Sequence, residues 1–311
     1  MKLLWDRDIR IPAVLALGCF DGVHAGHRAI LDAGRRLADE TGATLCACTF
    51  NVHPKAVFAP EAAPACLSTL SERARYMVQT GVNSMQILPF TRKMAEMTAE
   101  EFLTLLQRRF SPVGILCGDD FSFGRNGAGR VDLLQAWGRA NGVTIVVVPE
   151  VRRGGDRVSS TRIRALLEAG DVAEANALLG RSYCLEGTVV RGKQMGRELG
   201  YPTANVQVAG TKQLPAFGVY LCRAVWAGQD HPAVVNIGRQ PTLPSGRVTV
   251  EAHLTDGDYE LYDKRLRLQL VSFLRPETRF PDVEALKEQL KKDKKTAADY
   301  FGSCPGRPKP F

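Results

Sequence analysis

Two histidines three residues apart, His24 and His27, are the side chains of this sequence best placed for phosphate chemistry. An apolar run, residues 12–17, precedes them and predicts a buried strand, and apolar residues at helical spacing follow them. A strand, a glycine-rich turn and a helix N-terminus bind anions together, because backbone N–H groups and the helix dipole face the charge. We therefore expect both imidazoles to reach one phosphate. Two solvated histidines beside a turn are the alternative.

A second candidate anion site is the hydroxyl-rich segment Ser159-Ser160-Thr161, which leads into Arg162 and Arg164. The segment comes after a predicted strand and begins a predicted helix. Its hydroxyls could simply cap the first N–H groups of that helix. Two hydroxyls suffice for capping, whereas three hydroxyls with two arginines favour a phosphate site. Arg162 or Arg164 would then form a fork for phosphate oxygens.

Residues 192–205 form a third block that could bind phosphate, because glycines let a backbone approach an anion closely. Its glycines are Gly192, Gly196 and Gly200. Thr203 and Asn205 follow a proline, and in an extended segment their side chains point to the same side. Hydroxyl and amide oxygens are hard ligands suited to Mg²⁺. The alternative is a Gly/Pro-rich loop without a ligand, since the block lacks the P-loop pattern.

The composition of the chain indicates a two-domain protein of the cytoplasm. A length of 311 residues suits two domains, and 45% hydrophobic with 24% charged residues is ordinary for a soluble protein. No apolar run approaches the ~20 residues that span a bilayer, and the N-terminus carries charges where a signal peptide is apolar. The eight cysteines are scattered without a C-x-x-C pair, which argues against a structural zinc site and suits a reducing compartment.

The net charge of +8 raises the question of nucleic-acid binding. The basic residues are dispersed, except for a cluster at 291–295 on a predicted helix, which we interpret as a solvated face. A positive field instead favours the capture of small anionic substrates. We therefore expect no nucleic-acid and no membrane partner, and a monomer or a weak homo-oligomer.

The order of predicted elements divides the chain in two. Strands and helices alternate in the first half, which predicts a mostly parallel sheet covered by helices on both faces. Short strands separated by turns follow and predict a small antiparallel β-barrel, closed by a C-terminal helix. The predicted domains are residues 1–181 and 182–302, and residues 303–311 form a loose tail.

Ordered blocks of the sequence resemble the nucleotidylyltransferase superfamily and, more closely, the family of prokaryotic bifunctional riboflavin kinase/FMN adenylyltransferases. The blocks of the first half are residues 18–27, 49–54, 118–124 and 159–164. The blocks that resemble the kinase are residues 192–205, 218–220, 236–242, 250–254 and 274–280. The resemblance covers nearly the whole chain. It implies a Rossmann-like nucleotidylyltransferase domain followed by a riboflavin kinase barrel.

The resemblance implies two ATP-dependent reactions, phosphorylation of riboflavin to FMN and adenylylation of FMN to FAD, with Mg²⁺ as the cofactor. The implied catalytic residues are Glu251, His24, His27 and Arg162. Those for ATP and phosphate are Gly18, Phe20, Asp21, Gly22, Ser159, Ser160, Thr161, Arg164, Gly192, Gly196, Arg197 and Gly200. Those for the flavin are Asn51, His53, Asp119, Arg275 and Glu277, and those for the metal are Thr203 and Asn205.

Two points of the sequence bear on this interpretation. Without the resemblance, Glu251 reads as a solvent-facing strand residue. Asp263 stands where the family usually has glycine, and because aspartate also tolerates turn conformations we expect little effect on function.

Two other functions compete with the flavin interpretation. Another nucleotidylyltransferase, acting on pantetheine phosphate or nicotinamide mononucleotide, would explain the first half and leave the second unexplained. A flavin sensor with inactive catalytic modules is the other alternative. The candidate catalytic and metal residues are all present and no helix-turn-helix segment is evident, which argues against the sensor.

Overall fold

The computed structural model describes residues 1–192, 200–239 and 248–302. Two of the predicted phosphate-site residues, Gly196 and Arg197, and the predicted tail 303–311 lie outside the described residues. The chain divides into two compact units, Met1–Ser160 and Thr161–Phe311. Within the described residues, none of the helices combines the length and apolar character needed to span a lipid bilayer.

The first unit is built on a six-stranded sheet in which every neighbouring pair is parallel, in the order β1-β4-β3-β2-β5-β6. Its strands are β1 Lys2–Trp5, β2 Ile9–Leu17, β3 Thr44–Phe50, β4 Ser84–Leu88, β5 Phe110–Gly118 and β6 Thr144–Val148. A small antiparallel hairpin follows, formed by β7 Arg152–Arg153 and β8 Asp156–Arg157.

Helices connect these strands and cover the sheet. They are α1 Ala25–Thr41, α2 Lys55–Phe58, α3 Leu70–Val78, α4 Arg92–Ala95, α5 Ala99–Arg109 and α6 Val131–Asn141, with 3₁₀ turns at Pro60–Ala62 and Arg125–Gly127. Successive residues of β2 point to opposite faces, so Val14 joins one hydrophobic cluster and Leu15 the other. Both faces of the sheet are therefore buried, which confirms the predicted parallel sheet covered on two sides.

The second unit contains a closed antiparallel barrel in the order β10-β13-β12-β11-β14-β9. Its strands are β9 Tyr183–Val190, β10 Ala204–Val208, β11 Gly218–Trp226, β12 Gln229–Arg239, β13 Val248–Leu254 and β14 Arg265–Arg275. Burial alternates along β14, where Leu266, Leu268 and Leu270 are fully buried. The predicted small antiparallel barrel is confirmed.

Three further helices belong to this part of the chain: α7 Ser160–Glu168, α8 Val172–Leu179 and α9 Val283–Gly302. Asn176 of α8 anchors the barrel, because its amide nitrogen donates to Leu270 O at 2.9 Å and its amide oxygen accepts from Tyr183 N at 2.6 Å. These contacts connect α8 to the barrel, although α8 precedes the domain boundary expected between residues 181 and 182. That boundary stays a prediction.

Helix α9 packs on the outside of the barrel. It starts after Asp282, whose carboxylate accepts from Ala285 N at 2.7 Å, as an N-cap does. Ala297 is fully buried and joins a small cluster with Val219 and Val234. The helix therefore covers part of strands β11 and β12.

Candidate active sites

The connection between β2 and α1 is a tight loop. Phe20, Gly22 and Val23 all have positive φ, at 48°, 82° and 42°, a region that residues other than glycine seldom adopt. Phe20 is fully buried and so anchors the loop in the core. His24 then caps the helix, because its Nδ1 accepts from His27 N at 3.4 Å.

The two histidines of the first motif lie face to face. The ring centroids of His24 and His27 are 3.7 Å apart at an interplanar angle of 17°, and the ring of Phe20 meets His27 edge-on at 5.3 Å. Gly26 makes room for them, since a Cβ there would lie 3.2 Å from Cε1 of His24. The structure thus brings both imidazoles to the first turn of α1, where an anion is favoured.

Asp21 faces inward and holds the loop in place. Its carboxylate accepts from Leu67 N at 3.0 Å, from Ser68 N at 2.9 Å and from Ser68 Oγ at 3.2 Å, and the guanidinium of Arg73 lies 3.8 Å away. Gly22 N in turn donates to Ser68 Oγ at 2.8 Å. Asp21 and Gly22, both expected at the phosphate, therefore bind the loop to the segment before α3.

The hydroxyl-rich segment also touches this loop. Ser160, at the start of α7, donates through Oγ to Asp21 O at 2.9 Å. Ser159 precedes it, and Thr161, Arg162 and Arg164 follow within the helix. Arg162 pairs with Glu174 of α8 at 3.3 Å.

Several expected site residues follow the carboxyl ends of parallel strands, which meet at one edge of the sheet. Gly18 comes after β2, Asn51 after β3 and Asp119 after β5. Asn51 connects the end of β3 to the segment after β4, because its Oδ1 accepts a hydrogen bond from Phe90 N at 2.8 Å. His53 lies just before α2, where its Nδ1 accepts from Lys55 N at 3.2 Å.

Arg157 of β8 is a residue of this edge that the sequence did not single out. Its Nη2 lies 3.5 Å from Asp119 Oδ1 and 2.8 Å from Asp120 Oδ2. Burial raises the pKa of the neighbouring Cys117 thiol to about 12, and the negative charges of Asp120 and Asp119 add to this rise. Arg157 therefore places a positive charge next to both carboxylates at this edge.

In the barrel, Glu251 sits between two asparagines. It is the cross-strand partner of Asn205 on β10 and of Asn236 on β12, and directly opposed residues project to the same face. Gly192 allows this arrangement, because a Cβ there would lie 2.3 Å from Nδ2 of Asn205. Asn236 belongs to a block that carried the resemblance, but no role had been expected for its side chain.

Thr203 lines two cavities of the barrel. One, of about 300 Å³, is lined by Thr203, Glu251 and His253 and by α9 side chains that include Leu286 and Leu290. The other, of about 380 Å³, is lined by Thr203 and by other residues that include Gly200, Pro202, Tyr259 and Tyr262. Thr203 therefore borders both spaces.

The two barrel residues expected at the flavin, Arg275 and Glu277, both lie close to other parts of the protein. Arg275 forms hydrogen bonds with Asp293 of α9, the shortest at 2.7 Å from Nη2 to Oδ2. The carboxylate of Glu277 occupies the space beside Gly238, so a Cβ at that position would require the Glu277 side chain to move. Both residues line the 300 Å³ cavity, but the guanidinium of Arg275 is engaged by the helix.

His253, two residues after Glu251, was also missed from the sequence. Its Nδ1 lies 2.9 Å from Pro202 O, and its ring meets that of Tyr201 at 5.5 Å and 65°. Burial lowers the pKa of His253, against the opposing effect of the Pro202 carbonyl. The alternation of side chains along a strand, which places His253 and Glu251 on one face, is the signal that could have found it.

The oxygen atoms near Glu251 fit a hard divalent cation. Thr203 offers a hydroxyl and Asn205 an amide oxygen, next to the carboxylate of Glu251. Mg²⁺ usually takes few protein ligands and completes its shell with water and phosphate oxygens. The residues present are therefore compatible with Mg²⁺ bound together with a nucleotide.

Two family models match consecutive parts of the chain. The model described as FAD synthetase matches residues 6–162, and the model described as riboflavin kinase matches residues 179–301. Residues 6–162 include the stacked histidines, and residues 179–301 include Glu251 and both barrel cavities.

Comparison of folds gives a match to a solved structure. The crystal structure of a protein from Streptococcus pneumoniae, described as a macrolide-efflux protein, matches with a TM-score of 0.89 and 27% identity. The match covers 96% of this chain and 99% of that chain. The efflux activity is part of the description of that protein; the match contributes the common fold.

Curated relatives align with almost the whole sequence. Bifunctional riboflavin kinase/FMN adenylyltransferases from Escherichia coli (strain K12) and Pseudomonas fluorescens are 36% and 39% identical, over 93% and 90% of both chains. The enzyme of that name from Bacillus subtilis (strain 168) is 32% identical over 96% of this chain and 95% of its own. On this evidence the chain belongs to the family of bifunctional riboflavin kinase/FMN adenylyltransferases.

Proposed function

We propose that this chain is a flavin cofactor biosynthesis enzyme that makes FAD from riboflavin in two steps, each with ATP as co-substrate. The first step phosphorylates riboflavin to FMN, and the second adenylylates FMN and releases pyrophosphate. One observation carries the proposal: the chain has two separate sets of residues suited to phosphate chemistry, each within the stretch that the corresponding family model matches.

The two barrel cavities suggest where the kinase substrates bind. A general base must touch the hydroxyl that it deprotonates, so riboflavin occupies the 300 Å³ cavity that Glu251 lines. ATP occupies the 380 Å³ cavity, where Tyr259 and Tyr262 offer aromatic faces to the adenine ring. In this arrangement the phosphoryl group is transferred from ATP to riboflavin next to Thr203, which borders both cavities.

In this kinase step Glu251 accepts the proton of the riboflavin 5′-hydroxyl as the oxygen attacks the γ-phosphorus of ATP, and ADP leaves as the bond from the γ-phosphorus to the bridging oxygen breaks. Thr203 and Asn205 would hold Mg²⁺, which supplies charge neutralisation at the phosphates. Gly192 and Gly200, with Gly196 and Arg197 of the same block, would accommodate the phosphate chain. Positioning and electrostatic stabilisation then provide most of the rate.

The adenylyl step takes place in the first unit. The phosphate of FMN is already ionised, so it attacks the α-phosphorus of ATP without a general base. His24 and His27 stabilise the charge on the α-phosphate and on the leaving group at the N-terminus of α1. The hydroxyls of residues 159–161, with Arg162 and Arg164, hold the pyrophosphate portion of ATP.

The remaining residues of this step are assigned by their place at the sheet edge. Asn51, His53 and Asp119 contact the flavin substrate. Gly18 and Phe20 shape the loop beside the nucleotide, and Asp21 and Gly22 keep that loop in position. The cytoplasm as location, and a monomer or weak homo-oligomer without nucleic-acid or membrane partners, belong to the same proposal.

A single reaction series tests the function. The protein is incubated with riboflavin, ATP and Mg²⁺, and the products are separated by chromatography over time. We expect FMN to appear first and FAD to follow, and FAD to form directly when FMN is supplied. FMN without FAD would refute the adenylyl step. Tight riboflavin binding with neither product would identify a flavin sensor instead.

A further inference from the structure

His253 makes a hydrogen bond whose direction is fixed by chemistry. Its Nδ1 lies 2.9 Å from the carbonyl oxygen of Pro202. A carbonyl oxygen can only accept, so Nδ1 must carry the proton and donate it. The side chain of a β13 residue thus binds the backbone of the segment that leads into β10.

This bond lies where the backbone pairing of two strands stops. Strands β10 and β13 pair at Asn205 with Glu251 and at Ala204 with Ala252, and β10 begins at Ala204. Continued antiparallel pairing would place Thr203 opposite His253, but the residue before Thr203 is a proline, which has no N–H to donate. The imidazole therefore provides a hydrogen bond just beyond the end of the strand ladder.

The peptide that His253 binds is the one that joins Pro202 to Thr203. Holding its carbonyl oxygen limits rotation of that peptide and so fixes the starting point of the Thr203 side chain. The edge-on contact between the rings of His253 and Tyr201, at 5.5 Å, restrains the same segment from its other end. Thr203 itself borders both barrel cavities.

We propose that His253 is a positioning residue of the kinase site: through Nδ1–H it holds the carbonyl of Pro202 and thereby aims the hydroxyl of Thr203 at the phosphates of ATP. This inference rests on the proposed kinase function, in which Thr203 lies at the point of phosphoryl transfer. His253 acts through Pro202 and does not take part in the chemistry itself.

The other ring nitrogen argues against a role in packing alone. Nε2 of His253 is buried, and in the part of the chain that the structure describes it has no hydrogen-bond partner. Burial of an unpaired polar atom is unfavourable, and a leucine would fill a similar volume without it. The Nδ1–H bond is what an apolar side chain could not replace.

Three variants distinguish the role of Nδ1 from that of Nε2. His253→Asn keeps a donor close to the position of Nδ1, His253→Gln places one close to Nε2, and His253→Leu removes both. Each variant is assayed for riboflavin phosphorylation, with kcat and the KM values for ATP and riboflavin, and ADP affinity is measured by calorimetry in the presence of Mg²⁺. Adenylylation of supplied FMN reports that the first unit is intact, and circular dichroism with thermal unfolding reports whether each full-length variant is folded.

We expect His253→Leu and His253→Gln to lose about 10- to 100-fold in kinase kcat, as misplacement of a catalytic contact does. Both should bind ADP more weakly and keep their KM for riboflavin within about threefold. His253→Asn should recover kcat to within about threefold of the wild type. Equal loss in the Asn and Leu variants, recovery by Gln alone, or normal kcat in the Leu variant would overturn the inference.

A measurement on the wild-type protein covers the case in which the variants do not fold. Long-range ¹H–¹⁵N spectra distinguish the two ring tautomers, and the chain has five histidines. The signal of His253 should show Nδ1 protonated, and an Nε2–H tautomer would refute the bond to Pro202. A wild type that makes no FMN contradicts the proposed function, whereas an active wild type with an Nε2–H tautomer contradicts the role of His253 alone.

Discussion

The guanidinium of Arg275 and the carboxylate of Asp293 are joined by hydrogen bonds of 3.2, 3.1 and 2.7 Å. Asp293 is nearly inaccessible and also accepts from Gln289 at 2.8 Å. The pair links the end of β14 to the middle of α9. Since α9 forms one wall of the 300 Å³ cavity, where riboflavin is proposed to bind, the contact between Arg275 and Asp293 holds that wall in place.

Removing Asp293 should therefore loosen the helix and weaken riboflavin binding. In Asp293→Ala the half-buried guanidinium of Arg275 loses its counter-charge, which lowers the free energy of unfolding by about 3 kcal/mol. We expect the riboflavin Kd, measured by flavin fluorescence, to rise about 10-fold. Asp299→Ala, an exposed site on the same helix, is the matched control. Equal stability and affinity in the two variants would show that the pair does not hold the helix.

Glu251→Gln should separate the two activities. The amide cannot accept the hydroxyl proton, so we expect FMN formation to fall at least about 100-fold, the usual contribution of a general base. Adenylylation of supplied FMN should stay within about twofold. Glu186→Gln is the control, because Glu186 lies on β9 of the same barrel and pairs with Arg265. Parallel loss of both activities in Glu251→Gln would contradict two separate sites.

His27→Ala should have the opposite effect. Loss of one of the two stacked imidazoles removes stabilisation of charge at the α-phosphate, and we expect FAD formation to fall about 100-fold. FMN should then accumulate, because the kinase step does not use His27. Chromatography of a reaction started with riboflavin measures both products, so the kinase activity of the variant is its own control. Normal FAD output would refute the assigned role.

Tyr220 should make the protein sensitive to alkali. Burial raises its pKa to about 12, from an ordinary value of 10. Above pH 10 the unfolded chain loses this proton while the folded chain keeps it. The contribution of Tyr220 to the free energy of unfolding is therefore fully present below pH 10 and is lost as the pH rises towards 12. The loss amounts to about 3 kcal/mol.

Tyr220→Phe tests this linkage. The variant loses the hydrogen bond to Ala216 O, so its free energy of unfolding at neutral pH should be about 1 kcal/mol lower. Its stability should then decline less than that of the wild type above pH 10, because the buried phenol is gone. Urea unfolding at several pH values measures both curves. If the stability of the wild type and of the variant declined equally above pH 10, folding would not change the pKa of Tyr220, and the prediction would be wrong.

Features set by neighbouring residues were predictable from the sequence. Four such features depend on residues that are close together in the sequence. They are the strand before His24, the helix after His27, the close approach of the two imidazole rings and the helix cap at Asp282. Asp263 adopts a φ of 63°, the turn conformation expected at a position where the family usually has glycine. The parallel sheet and the antiparallel barrel followed in the same way from the periodicity of apolar residues.

Features set by distant residues were not predictable. Asp21 meets Ser68 across 47 positions, and Arg275 meets Asp293 across 18; no local pattern announces such partners. Strand β1 has four residues and exists because it pairs with β4. The short β10 shows alternation at Ala204–Val208, but five residues are a weak signal beside a glycine-rich block.

The inward-facing carboxylate of Asp21 has a consequence for the timing of catalysis. Because Leu67 and Ser68 hold it, the unusual backbone angles at Phe20, Gly22 and Val23 are set when the chain folds. The conformational entropy of that loop is therefore lost once, during folding, and the proposed binding of ATP at the loop does not cost it again. In the proposed adenylyl step, ATP would therefore meet a loop whose backbone is already ordered.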